Sequence, residues 1–281
     1  MAVIITSDST CDLNDLAKER NIQILPLKVN LDMEEYHDGI DITPQNIFDF
    51  VSKTGILPKT SAASVHDYQE FFNKVLKDGD EVVHLNISGK CSVSHNNAKE
   101  AAKKFNGKVH VIDSKALSSG QGLLALKAAD LRDEGKSADD IEEILLAIRE
   151  RVNTSFVPDG LDYLHKGGRV SALTMYGANL LKIHPQILMK DGQLVPGKKY
   201  RGKMAMCIKQ YIEDLKQLYP NYDKARCFVT NSMADRALVE MAMQKVKELF
   251  DFKEVIETVA GSIITSHCGQ GTLGVLFVYN N

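Results

Sequence analysis

Apolar and polar positions follow one another along this chain in two textures. Up to about residue 155, apolar runs of strand length alternate with stretches of helical periodicity. The strand-like runs are "AVIIT" (2–6), "IQILPLKV" (22–29), "EVVHLNI" (81–87) and "KVHVIDS" (108–114). Short apolar runs bounded by turn residues predict buried strands. Helix starts lie between them. Ser9 or Thr10 can cap a helix beginning near Asp12, Thr43-Pro44 opens one running to about Val51, and Ser137 caps "ADDIEEILLAIRERV". A loop, "ILPKTSAASV" (56–65), precedes another helix, while "HNNAKEAAKKF" and "SSGQGLLALKAADLRDEG" are helical as well. This alternation predicts an α/β fold with a mostly parallel sheet.

Beyond "NTSFVPDG" (153–160) the pattern changes. "LDYLHKGGRVSA" (161–172) reads as a helix ended at Gly167-Gly168. "HPQILMKDGQLVPGKKYRG" (184–202) reads as a hairpin about an Asp-Gly turn. "ARCFVTN", "FKEVIETV" and "GTLGVLFVYNN" supply later strands with helices between them. We therefore expect an α/β domain over 1–157 and an α+β domain over 158–281. No internal repeat or low-complexity tract interrupts either.

Composition narrows the function. A chain of 281 residues buries a core without disulfides, and a formal charge of -3 argues against a nucleic-acid footprint. Trp is absent, which disfavours base-stacking platforms. The five cysteines, Cys11, Cys91, Cys207, Cys227 and Cys268, are widely spaced, with no CxxC or Cys/His ligand spacing, so no metal is expected. No cofactor is expected either. The N-terminus lacks the pattern of a signal peptide, and no apolar run approaches the roughly 18 residues of a membrane helix. A cytoplasmic protein is expected.

The stretch "NISGKCSVSHNNA" (86–98) is rich in hydroxyls and leads into a helix. A phosphate loop would need Gly at 84 and Ser or Thr at 91, where His84 and Cys91 stand. A phosphatase-like aspartate pair would need Asp at 10, where Thr10 follows Asp8 by two, so Asp8 is assigned to capping or loop bonding. Cys11, Cys91 and Cys268 fall in loops and read as small buried residues rather than nucleophiles. His267 lies among the glycines of "SHCGQG", where a backbone can approach a ligand closely, and His95 lies near a helix start. Lys166 and Arg169 can complement a helix end or meet an anion. Thr60 and Ser61 share one loop, and Ser92 and Ser94 another. Neither loop holds a base to activate a serine, so neutral hydroxyls at a helix start point to an anion grip rather than a hydrolase.

These stretches resemble the DegV family, the bacterial fatty-acid-binding proteins that serve as the substrate-carrying FakB component of fatty acid kinase. "SDSTCDL", "LKVNLDMEEYHDG" (27–39), "PKTSAAS" (58–64), "NISGKCSVSHNNA", "VIDSKALSSGQG" (111–122), "LDYLHKGGRVSA" and "HCGQGTLGV" (267–275) carry the likeness in order. The resemblance implies that Ser92 and Thr60 hold a fatty acid carboxylate, with Ser61 and His267 as secondary contacts. It implies that Arg169 and Arg201 face an ATP-dependent kinase subunit, which makes the acyl phosphate. Val93, Ser94 and His95 depart from a family pattern of Gly, Thr and Tyr, and Gln270 replaces Pro. The implied ligand is a long-chain fatty acid buried between or beneath two α/β domains, in a carrier that is not itself an enzyme. The segment "MYGANLLKI" (175–183) could line the tail or pack on the core. A transient membrane surface is a further candidate partner. Two rivals remain: a stand-alone phosphotransferase or hydrolase using Cys91, His95 or His267, and a lipid sensor or transfer module without a kinase.

Overall fold

The structure, a computed structural model, describes residues 2–77, 80–169 and 183–280. Residues 170–182, including most of "MYGANLLKI" and the end of the helix expected over 161–172, lie outside the described residues.

The first sheet has the strand order β2-β1-β6-β7, and every pairing in it is parallel. Its members are β1 (Val3–Asp8), β2 (Ile22–Leu25), β6 (Glu81–Asn86) and β7 (Val109–Asp113). This is the parallel sheet that the N-terminal pattern predicts. The run "IQILPLKV" is two strands rather than one. Pro26 has no N–H to give a ladder, and beyond it β3 (Lys28–Leu31) leaves to pair antiparallel with β4 (Glu34–His37) and β5 (Lys59–Ser61). The stretch 56–65, expected as loop, thus contains a short strand that holds Thr60 and Ser61 in register with Val29 and Lys28.

The larger sheet is mixed. Its path runs from the hairpin β10 (Ile183–Lys190) and β11 (Gln193–Arg201), through β9 (Ser155–Val157) and β14 (Leu273–Tyr279), to β12 (Tyr222–Asn231) and β13 (Glu254–Val259). Antiparallel pairings dominate it, and β12 with β13 is parallel. The strands β8 (Val152–Asn153) and β9 both pair with β14, so the chain enters this sheet before residue 158.

Several helix starts carry their own caps. Thr43 and Asn46 form a reciprocal capping box at α2 (Pro44–Thr54), and so do Ser137 and Asp140 at α6 (Ala138–Ile148). The first helix, α1 (Asp15–Glu19), starts later than expected. A 3-10 turn over Ser9–Cys11 comes first, capped by Asp8 rather than by Ser9 or Thr10.

Helix α5 (Ser119–Asp133) ties the two large sheets together. Eleven of its fifteen residues are buried, which marks an internal helix rather than an amphipathic one. Leu123, Leu124 and Ala128 pack in one cluster with Ile5 and Val83 of the first sheet and Phe228 and Leu276 of the second. Gly120 and Gly122 permit the closeness, since a Cβ on Gly122 would sit 2.6 Å from the Cys11 carbonyl.

The Asp8 carboxylate fastens the loops above the parallel sheet. Its Oδ1 accepts from Thr10 N (3.1 Å), the Thr10 hydroxyl and Gln121 Nε2 (3.1 Å). Its Oδ2 accepts from Asn86 Nδ2 (3.1 Å) and Ile87 N (3.0 Å). Asp8→Ala would strand these buried donors, and we expect a loss on the order of 3 kcal/mol or more in urea unfolding. A loss below about 1 kcal/mol would show that the carboxylate is not needed to hold the loops.

Candidate binding cavity

A cavity of about 400 Å³ opens above the carboxyl ends of β1 and β6. Those two strands flank the point where the parallel sheet reverses its winding, the place where open α/β sheets receive ligands. The walls come from both large sheets. Ile87, Leu117, Phe156, Leu164 and Ile264 supply an apolar lining.

Four residues expected to bind ligand, Thr60, Ser61, Ser92 and His267, meet at this one cavity although they lie up to 207 positions apart. Thr60 sits on β5, and its Oγ1 is 2.8 Å from Nε2 of His267. Ser61 Oγ accepts from Asn30 Nδ2 at 3.0 Å. Ser92 precedes α4 (Ser94–Ala102), where its Oγ accepts from Ser94 N (3.2 Å) and lies 2.9 Å from Ser94 Oγ. The loop carrying Ser92 is pinned from below. Ser88 Oγ donates to the Gly192 carbonyl (2.6 Å) at the tip of the β10–β11 hairpin, and Gly89 N donates to Asp113 Oδ1 (3.1 Å).

The glycines of "SHCGQG" predict a loop at His267. His267 lies instead in the last turn of a helix, α10 (Ser262–Cys268). Burial, with the nearby Arg169 charge, lowers its pKa to about 4, so the ring is neutral at pH 7. Its Nδ1 is buried without a partner among the described residues and faces Gly167, where a Cβ would come within 2.8 Å. Helix α10 has no side-chain cap of its own. Asp12 Oδ1 accepts from Gly261 N (2.9 Å) and Asp38 Oδ1 from Ser262 N (2.7 Å), two carboxylates from the far end of the chain. Desolvation raises both carboxyl pKa values, and hydrogen bonds from Ser118 and Gly261 to Asp12, and from Ser9 and Ser262 to Asp38, oppose it.

Arg169 is exposed at the cavity rim, where its Nη1 donates to the Gly167 carbonyl (2.7 Å). Arg201, at the end of β11, is exposed and does not line the cavity. His95 does not line it either and packs against Gly89 and Asp113 behind the Ser92 loop. Cys91 and Cys268 do line it, but burial pushes their thiols up to about 11 and about 12. Thiols held so high carry almost no thiolate at neutral pH and are poor nucleophiles. Cys11 and Cys268, expected in loops, belong to the 3-10 turn and to α10. Sequence reasoning missed Asn30, Gly192, Asp12 and Asp38. The Asp191-Gly192 turn was legible, but nothing in the sequence says what a turn rests on.

Known proteins resemble this chain over nearly its whole length. A family model described as "Uncharacterised protein, DegV family" matches residues 2–280, and the chain belongs to that family. A DegV domain-containing protein of Clostridium acetobutylicum is 31% identical over 278 residues, covering 98% of this chain and 97% of that protein. A protein of Thermotoga maritima named a fatty acid-binding protein is 31% identical over 288 residues, with 98% and 96% covered. The solved structure of a DegV family protein from Thermus thermophilus, described for fatty acid binding, superposes with a TM-score of 0.93 at 29% identity, covering 100% of both chains.

The lowered pKa of His267 predicts a pH effect. The unfolded chain takes up its proton near pH 6.5 and the folded chain only near 4, so this stability is present above about 6.5 and is lost as pH falls toward 4. His84, Asp12 and Asp38 titrate in wild type and variant alike, so the difference between them isolates His267. Urea unfolding between about pH 7 and pH 4.5 should lose less stability in His267→Gln than in wild type. Equal slopes would mean that His267 is not buried in its neutral form.

Proposed function

We propose that this DegV family chain binds a long-chain fatty acid, buries the acyl tail in the cavity and presents the carboxylate at the mouth. Thr60 and Ser92 hold the carboxylate, with Ser61 and His267 supporting them. The observation that carries this reading is that Thr60, bonded to a neutral, buried His267, and Ser92 from a separate loop line one cavity with an apolar lining. With Nε2 of His267 donating to Thr60 Oγ1, the Thr60 proton is left to donate to a ligand. Ser61 accepts from Asn30 and keeps its own proton, and Ser94 donating to Ser92 leaves the Ser92 proton available too. Three neutral donors suit a carboxylate that must stay reactive, because no bidentate guanidinium claims both of its oxygens.

The volume lies within the range of small-molecule sites. Each buried methylene contributes about 0.8 kcal/mol, so the tail supplies most of the gross affinity and the hydroxyls orient the head. In this reading residues 1–157 contribute the carboxylate loops and 158–281 help to enclose the chain. Arg169 and Arg201 face a separate ATP-dependent kinase, which transfers a phosphoryl group from ATP to a carboxylate oxygen and gives the acyl phosphate. The five cysteines are free, in keeping with a reducing cytoplasm. The fatty-acid-binding descriptions of the Thermotoga and Thermus relatives support the ligand class. The high thiol pKa values count against a stand-alone cysteine enzyme.

Mass spectrometry of protein purified without added lipid should find one fatty acid per chain, released on denaturation. Thr60→Val with Ser92→Ala should weaken palmitate binding about tenfold to a hundredfold, the loss of two hydrogen bonds to a charged group. Unchanged palmitate binding and presentation in that double variant would remove both residues from the site.

A further inference from the structure

Other polar groups line the cavity as well, and they fall into two kinds when their protons are counted. Most are closed. Thr10 donates to Asp8 or Gln121, Ser118 to Asp12, and Thr272 to the Cys268 carbonyl. Ser155 donates to Asn153, and Ser232 to Thr265, whose own proton goes to the Ala260 carbonyl. These hydroxyls turn their protons into the protein and offer an acyl chain mostly their carbon atoms.

Thr230 and Asn231, at the end of β12, are different. Thr230 Oγ1 lies 2.5 Å from Ser119 Oγ and 2.8 Å from Thr258 Oγ1. Three hydroxyls carry three protons but form two bonds among themselves, so one proton is left over. Ser119 and Thr258 are buried and do not line the cavity, whereas Thr230 does. A buried donor without an acceptor is costly. The arrangement that avoids this has Ser119 and Thr258 both donating to Thr230, which turns its own proton into the cavity. Asn231 spends one amide proton on the Thr258 carbonyl (3.3 Å) and uses its oxygen to accept from Ala234 N (3.2 Å), so its second amide proton also remains.

We infer that this pair of donors recognises an oxygen on the acyl chain away from the carboxylate, making an oxygenated fatty acid, bearing a hydroxyl or oxo group, the preferred ligand. This rests on the fatty-acid reading above and narrows its substrate class. A plain alkyl chain drawn past Thr230 displaces the water that would otherwise satisfy it and returns no acceptor. A chain hydroxyl restores the acceptor and can donate in turn to the lone pairs of the closed hydroxyls. The preference is a matter of one hydrogen bond left unmade in the alkyl case, about tenfold in affinity.

Titration calorimetry on the delipidated full-length chain tests this, using palmitic acid and a series of hydroxypalmitic acids that differ in hydroxyl position. At least one isomer should bind about tenfold tighter than palmitic acid. Thr230→Val should bring that isomer close to parity with palmitic acid, and Thr230→Ser, which keeps the hydroxyl, should retain the preference. Palmitic acid binding as tightly as every isomer in wild type overturns the inference, whatever the variants do. A preference that survives in folded Thr230→Val overturns it too. If no acid of either kind binds, the fatty-acid reading itself fails, and this inference falls with it.

Discussion

The arrangement depends on one buried carboxylate that is never left short of donors. Asp8, at the end of the first strand, accepts from five groups, two of them on Thr10 and the others on Asn86, Ile87 and Gln121. A charge taken out of water is tolerable only when hydrogen bonds replace its hydration. Here those bonds come from the loop after β1, the loop after β6 and the buried helix α5. The three elements, two of which line the cavity, are therefore fixed to one another through a single side chain. Gln121 extends the tie, its Nε2 lying 2.9 Å from Ser7 Oγ and 3.2 Å from the Leu85 carbonyl.

A second pair of carboxylates does the same for the opposite wall. Helix α10 is short, and after Ser262 come Ile263, Ile264 and Thr265, whose branched side chains favour strands over helices. Asp12 and Asp38 stabilise its start by accepting from Gly261 N and Ser262 N. Gly261 suits the place, because a Cβ there would crowd oxygens of both aspartates at 3.1 Å. The helix end then carries His267 to Thr60 on the small antiparallel sheet. The neutral state of that histidine thus follows from its enclosure, and its enclosure follows from remote aspartates.

Polar and apolar residues both line the cavity. Residue type alone does not describe that distribution, since serines and threonines line it throughout. What separates a binding hydroxyl from a wall hydroxyl is whether its proton is already engaged. Ser118 and Thr272 donate to Asp12 and to the Cys268 carbonyl, whereas Ser61 accepts from Asn30. The hairpin tip at Gly192 adds rigidity, because Ser88 donates to its carbonyl and thereby holds the Ser92 loop in place.

Local pattern was enough for much of this. Apolar runs of strand length predicted β1, β6 and β7 in a parallel sheet, and the caps at Thr43 and Ser137 and the Asp191-Gly192 turn stand where short-range chemistry puts them. The hydroxyl clusters at 60–61 and 92–94 were visible because residue type and spacing are read directly from the sequence. Pro26 was in plain view, yet the break it makes in "IQILPLKV" became clear only once β3 was seen to pair with another sheet. The helix that carries His267 was hidden for a firmer reason. Its own residues favour a strand, and its caps, Asp12 and Asp38, lie more than 220 positions away. The engagement of each hydroxyl proton is equally non-local, since Thr230 is set by Ser119 and Thr258 rather than by its neighbours. Sequence determined the elements and the kind of chemistry, because these follow from nearest-neighbour propensity and side-chain type. Tertiary structure alone decided which groups stay free to bind, because a hydrogen bond is spent on whatever partner the fold brings within about 3 Å.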